Sequence, residues 1–156
     1  ALGAESVTGC DTSAFPLELA DRVGLGELIL GDATDLSNHI DRSDRVDIVI
    51  DTVGSDDSIA SGLGILEKSG SHVLLAVHEH PIPIQGTALS GERRIVTSSN
   101  NRYSDFPRAI EMLDSGAISV GPLITHRFRL SDVAEAFSLM QDKQKNRAFK
   151  VVIIPD

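Results

Sequence analysis

Three short stretches of this chain end on residues suited to a flat, polar ligand. The run "SVTGC" (6–10) stops at Asp11. A carboxylate at the end of a strand can accept hydrogen bonds from a pair of sugar hydroxyls, and it repels a phosphate on the same sugar. Aspartate is also common at turns and caps, so Asp11 can equally serve its own backbone. The run "VDIVID" (46–51) leads into Thr52, Val53 and Gly54. Glycine at such a strand end lets a ligand approach the main chain closely. The run "HVLLAV" (72–77) ends on Ala76 and Val77, with Ala76 small enough for a ring to lie against it. Each stretch alone also fits ordinary core or loop. Two such ends in consecutive strand–helix units make the plain reading less attractive without excluding it.

Other groupings carry less. His78-Glu79-His80 resembles a metal-ligand cluster, but it lies beside prolines, lacks the helical H-E-x-x-H spacing and has no evident third ligand. A solvated loop is the simpler reading. His126, in "LITHRFRL", reads as structural. Arg102-Tyr103, in "SSNNRYSDFP", stands in a polar loop entering a helix, where a guanidinium can meet a phosphate or carboxylate or simply water. No Ser/His/Asp nucleophile arrangement is readable. "GLG" occurs at Gly24–Gly26 and at Gly62–Gly64, but Ile29 and Glu67 stand where G-x-G-x-x-G needs its third glycine. Neither lies in a strand-to-helix turn, so both are decoys.

The elements that position these residues alternate. Phe15, Leu19 and Val23 recur four apart over 14–24, predicting a helix with Thr12 or Ser13 as N-cap and Gly24 as C-cap. A strand follows at 27–31, then a short polar helix around 35–42 and a strand at 46–51. The stretch 55–70 predicts a helix with acids in its first turn, Lys68 in its last and Gly70 as its stop. After the strand at 72–77, the Pro-rich loop 78–86 leads to a strand at 93–99 and a helix over 104–116. A helix over 130–142 has Ser131 as N-cap and turns Val133, Ala136, Phe137 and Met140 inward. A strand at 148–156 closes the chain. Continuous Val/Ile/Leu strands separated by helices predict an α/β, doubly wound parallel sheet covered on both faces.

Composition bounds the function. The 156 residues fit one domain. Formal net charge is −9, from 23 acidic against 14 basic residues, which argues against a nucleic-acid partner. The single cysteine, Cys10, permits no internal disulfide and no cysteine zinc cluster. No apolar run reaches about 18 residues and no basic-then-apolar leader is present, so a soluble, cytoplasmic protein with no membrane partner is expected.

Taken in order, "ALGA", "SVTGCD", "VDIVIDTVG", "LEKSGSHVLLAV", "RYSDFPRAIEMLDSGAI", "PLITHRFRLSDVAEAF" and "FKVVIIP" resemble the medium-chain dehydrogenase/reductase superfamily. Within it, the chain is similar to the zinc-containing alcohol dehydrogenases, and most to the polyol branch of sorbitol and butanediol dehydrogenases. The resemblance implies a Rossmann-like coenzyme domain with strand order 3-2-1-4-5-6. Asp11 would be the acid at the ribose and would favour NAD over NADP. Thr52, Val53 and Gly54 would border the adenosine and nicotinamide ribose, and Ala76 and Val77 would lie along the nicotinamide. Ser98, Ser99 and Asn100 would line the next coenzyme loop, and Arg102 would reach coenzyme phosphate or the mouth of the substrate site. Family chemistry is hydride transfer from a secondary alcohol or polyol to the nicotinamide, with a zinc ion as Lewis acid.

The chain departs from that pattern at its start. In the family "ALGA" ends the helix that follows the first strand and its glycine loop. That strand, that loop and the catalytic domain with its zinc ligands are not among these residues. The expectation is a partial dinucleotide-binding domain with a C-terminal return segment, inactive alone and belonging to a longer dehydrogenase. Such proteins pair sheet edges into homo-oligomers. The alternative is a non-catalytic, degenerate Rossmann module acting in dimerisation or protein interaction.

Overall fold

The computed structural model describes residues 2–40, 44–77 and 80–155. In chain order the elements are β1 (Thr8–Asp11), α1 (Ala14–Arg22), β2 (Glu27–Leu30), α2 (Leu36–His39), β3 (Val46–Asp51), α3 (Asp56–Ile65) and β4 (Leu66–Leu74). They continue with β5 (Arg94–Thr97), α4 (Asp105–Asp114), β6 (Ile124–Arg129), α5 (Val133–Met140) and β7 (Lys150–Ile154). Two units form: one from the segments up to Leu30 and from Arg102 onward, the other from Gly31 to Asn101.

All strand pairing among the described residues is parallel, as the continuous apolar runs predict. The strands form three ladders, β1–β2, β3–β4–β5 and β6–β7. Of the order 3-2-1-4-5-6 implied by the resemblance, the structure has β1 beside β2 in one ladder and β3, β4 and β5 as successive neighbours in another. The Rossmann-like α/β class stands.

In the first unit, α1 buries Leu19 and ends as its sequence dictates. Gly24 is left-handed, its amide bonds to the Asp21 carbonyl, and the Leu25 amide reaches back to Ala20. Ser13 occupies the N-cap without a hydroxyl bond to the helix. At the other end of the chain, the Arg147 guanidinium lies 4.3 Å over the Phe15 ring and pairs with Glu18, tying the approach to β7 onto α1.

Three expectations fail in this unit; one is the inward position of Met140, which is exposed. The predicted inward position of Phe137 is wrong: its side chain is 72% exposed. Ala136 is the buried residue of α5, with Val133 and Leu139 half-buried at spacings of three, which leaves Phe137 about 100° further round. The cap of α5 is Asp132 rather than Ser131, whose hydroxyl donates to the Asp132 carboxylate. Strand β6 was not anticipated, because "ITHRFR" carries too many polar residues to read as a buried run.

In the second unit, α3 starts where its acids and Ser55 predict, the Ser55 hydroxyl accepting the Ser58 amide. Ile59 and Leu63 pack with Leu66 and Leu74 as its core, with Val49 and Ile95 of the sheet against them. The expected continuation of the helix to Gly70 does not occur. Leu66 turns extended, and Arg45 and Arg93 donate to the Gly64 and Leu66 carbonyls that a further helical turn would have used. Ile59, Leu63 and Leu66 keep helical spacing although only the first two are helical, so periodicity hides the boundary. Strand β4 consequently begins at Leu66, and its register slips: Val46 faces Leu66 while Ile48 faces Ser71. Among the described residues no helix is long and apolar enough to cross a membrane.

Candidate functional site

Strands β3, β4 and β5 finish in step, with Asp51, Leu74 and Thr97 side by side. The Leu75 amide donates to the Asp51 carbonyl at 2.9 Å and the Ser98 amide to the Leu74 carbonyl at 3.2 Å, extending both ladders by one bond. Three loops then leave the same carboxyl edge: Thr52–Gly54, Leu75–Val77 and Ser98–Asn100. Parallel α/β sheets bind ligands at this edge.

Gly54 and Ala76 are brought together there. Gly54 has φ +68°, and a Cβ on it would stand 2.6 Å from the Ala76 Cβ. Both residues must be small for the two loops to meet. Beside them Val53 is 70% exposed and Val77 87% exposed. Aliphatic side chains held in water at a strand edge offer a surface for a flat ring. Thr52, Ser98, Ser99 and Asn100 are exposed, and Asn100 is left-handed at φ +64°.

The other two predicted residues belong to the other unit. Asp11 ends β1 half-buried, and its Oδ1 accepts the Ser13 amide at 2.8 Å, so the turn role open to it is realised. Arg102 is exposed, and its amide donates to the Asp105 carboxylate at the start of α4. His78 and Glu79 lie outside the described residues. His126 stacks on Phe128 and sits 3.0 Å from the Thr125 hydroxyl, within β6. Among the described residues no group of three or more His, Cys, Asp or Glu could hold a metal ion.

Sequence reasoning missed a polar cluster directly beneath the Thr52–Gly54 loop. Asp51 is buried, at 6% exposure, and both its oxygens are engaged. Oδ1 accepts the Val53 amide at 2.8 Å and the Gly54 amide at 2.9 Å. Oδ2 accepts the Ser58 hydroxyl at 2.8 Å and lies 3.3 Å from Nε2 of the fully buried His72. Burial acts to raise the Asp51 pKa. The amide of Gly54, the hydroxyl of Ser58, the amide of Val53 and His72 outweigh it, and the carboxyl is held below its ordinary value. The one hint in the sequence is a histidine at the head of an apolar run, His72, which does not by itself name its partners.

The fold and strand-edge loops define a Rossmann-like, dinucleotide-type α/β unit. Residues 1–115 match the sequence model of the zinc-binding dehydrogenases, and the chain belongs to that family, as its coenzyme-binding domain. It is 27% identical to an L-threonine 3-dehydrogenase of Bacillus velezensis, over 99% of this chain and 46% of the relative. It is 30% identical to the sorbitol dehydrogenase of Ovis aries, over 98% of this chain and 44% of that protein. The chain thus spans a little under half the length of these relatives. A short chain alcohol dehydrogenase of E. coli CFT073, solved with NADH, superposes with a TM-score of 0.81 at 24% identity. That match covers 96% of this chain and 44% of that structure and bears on the fold.

Proposed function

We propose that this chain is the coenzyme-binding part of a larger NAD-dependent alcohol or polyol dehydrogenase. The observation that carries the reading is the joint carboxyl edge of β3, β4 and β5, where Gly54 meets Ala76 between exposed Val53 and Val77. Thr52, Val53 and Gly54 border the ribose, Ala76 and Val77 lie along the nicotinamide, and Ser98, Ser99 and Asn100 line the adjoining loop. Asp11 receives the adenosine ribose and selects NAD over NADP. Arg102 meets coenzyme phosphate or the substrate mouth. The bound coenzyme supplies the hydride acceptor for a secondary alcohol, and the role of these residues is to bind and orient it. A cytoplasmic setting and a homo-oligomer built by pairing of sheet edges go with this reading; β5 is an outer strand of its ladder.

The test is titration of the full-length protein with NADH and NADPH, followed by a screen of secondary alcohols and polyols with NAD. Saturable NADH binding, abolished by Ala76→Phe, is the expected result. A full-length protein that binds neither nucleotide would overturn the reading and favour a non-catalytic interaction module.

A further inference from the structure

We propose that His72 is a positioning residue for the coenzyme loop, acting through Asp51; this rests on the reading of Thr52–Gly54 as a coenzyme contact. The Asp51 carboxylate has both oxygens engaged by the protein itself. Its four partners are the amides of Val53 and Gly54 on one oxygen and Ser58 and His72 on the other. Such a carboxylate is a hub, and what it fixes is the course of the backbone at Val53 and Gly54. His72 enters from the neighbouring strand, where it pairs with Val49, one inward-facing position before Asp51. Its Nε2 faces Asp51 Oδ2, which as a carboxylate oxygen can only accept, so the ring proton sits on Nε2.

The opposite side of the ring shows that the position is not merely filled. Nδ1 is buried with no hydrogen-bond partner, an arrangement that an aliphatic side chain would avoid. Helix α3 is cut back to receive the ring: a Cβ on Gly62 would stand 2.6 Å from Nδ1 and 2.5 Å from Cε1. A costly side chain in a space cleared for it leaves one favourable polar contact, the one to Asp51. That contact locks the plane of the carboxylate and presents Oδ1 to the two loop amides. Coenzyme then meets a loop already in its bound course, which improves affinity by lowering the ordering cost.

The experiment compares His72→Leu, which keeps the volume without the donor, with His72→Gln, whose amide nitrogen can take the place of Nε2. Both are made in the full-length protein. Amide exchange at Val53 and Gly54 and the NADH dissociation constant are measured. His72→Leu should speed exchange at both amides and weaken NADH by about tenfold. His72→Gln should return both to near the unaltered values. Unchanged exchange in His72→Leu overturns the proposal, and so does a His72→Gln variant as impaired as His72→Leu, which would make the role one of packing. Unaltered protein that takes up no NADH overturns the coenzyme reading. NADH binding that survives His72→Leu at full affinity overturns the role of His72 alone.

Discussion

Gly62 stands against the Nδ1–Cε1 edge of His72 so closely that a single methyl would overlap the ring. Its Cβ would lie 2.5 Å from Cε1, 2.6 Å from Nδ1 and 3.1 Å from Val49 Cγ1. Two effects oppose each other there. Alanine is the better helix former by about 1 kcal/mol, but overpacking a filled core costs about 1–3 kcal/mol. The second wins because a ring inside a sheet cannot step aside. Gly62→Ala should therefore lose up to about 2 kcal/mol in urea unfolding. Gly64, two residues on, has nothing within 4 Å of its Cβ position, so Gly64→Ala should gain about 0.5–1 kcal/mol. Equal effects at the two glycines would show that His72 is free to move.

Gly54 is constrained twice, by its left-handed backbone and by Ala76. An L-residue there costs about 1–2 kcal/mol from the backbone alone. Gly54→Ala should lower stability by about 1–3 kcal/mol and weaken NADH by at least about tenfold. Adding Ala76→Gly removes the overlap while leaving the backbone strain, so the double variant should recover part of the loss. Thermal melts and NADH titrations of the two variants and the unaltered protein check this. A double variant no better than the single would place the whole effect in the backbone.

Much of the second unit was legible because its strands read as continuous Val/Ile/Leu runs. Among the described residues, however, the expected cover on both faces is not seen: Val49 and Leu74 pack with α3, while Ile48 and Ile50 on the other face are 60% and 65% exposed. The ends of β3 and the start of α3 fall where Asp51, Ser55 and the paired acids announce them. The end of α3 was not legible. Leu66 continues the apolar spacing of the helix while its backbone already belongs to β4. Phe137 misled for a related reason: size suggested burial, but the small Ala136 marks the face of α5 that packs closely. At the site, the residues that leave strand ends could be named from pattern alone. The Asp51–His72–Ser58 cluster could not, because His72, 21 positions from Asp51, reaches it through a register that only pairing of β3 with β4 sets.

The state of Asp51 makes stability depend on acid. Its folded pKa is below the ordinary value of about 3.9, so the unfolded chain binds the proton more readily than the native one. The resulting stabilisation is fully present above about pH 4 and is lost as pH falls through the lower folded pKa. Asp51→Asn cannot titrate and gives its one oxygen to fewer donors. It should be less stable than the unaltered protein at neutral pH, and the gap between the two should narrow as pH drops below about 4. Urea midpoints measured across that range report the gap directly, with the other carboxylates common to both proteins. A gap that stays constant would mean the Asp51 charge contributes nothing.

Asp11 tests the coenzyme choice without disturbing the fold. Its Oδ1 already accepts the Ser13 amide at the entry to α1. Asp11→Asn keeps an oxygen for that amide and removes only the charge, so stability should stay within about 0.5 kcal/mol. If the carboxylate also receives ribose hydroxyls and repels a 2′-phosphate, NADH should bind more weakly and NADPH more tightly. The ratio of the two affinities should then move by about tenfold toward NADPH, the scale of one hydrogen bond to a charged group. Parallel titrations of the full-length protein with both nucleotides measure that ratio. An unmoved ratio would leave Asp11 as the residue that starts a helix and nothing more.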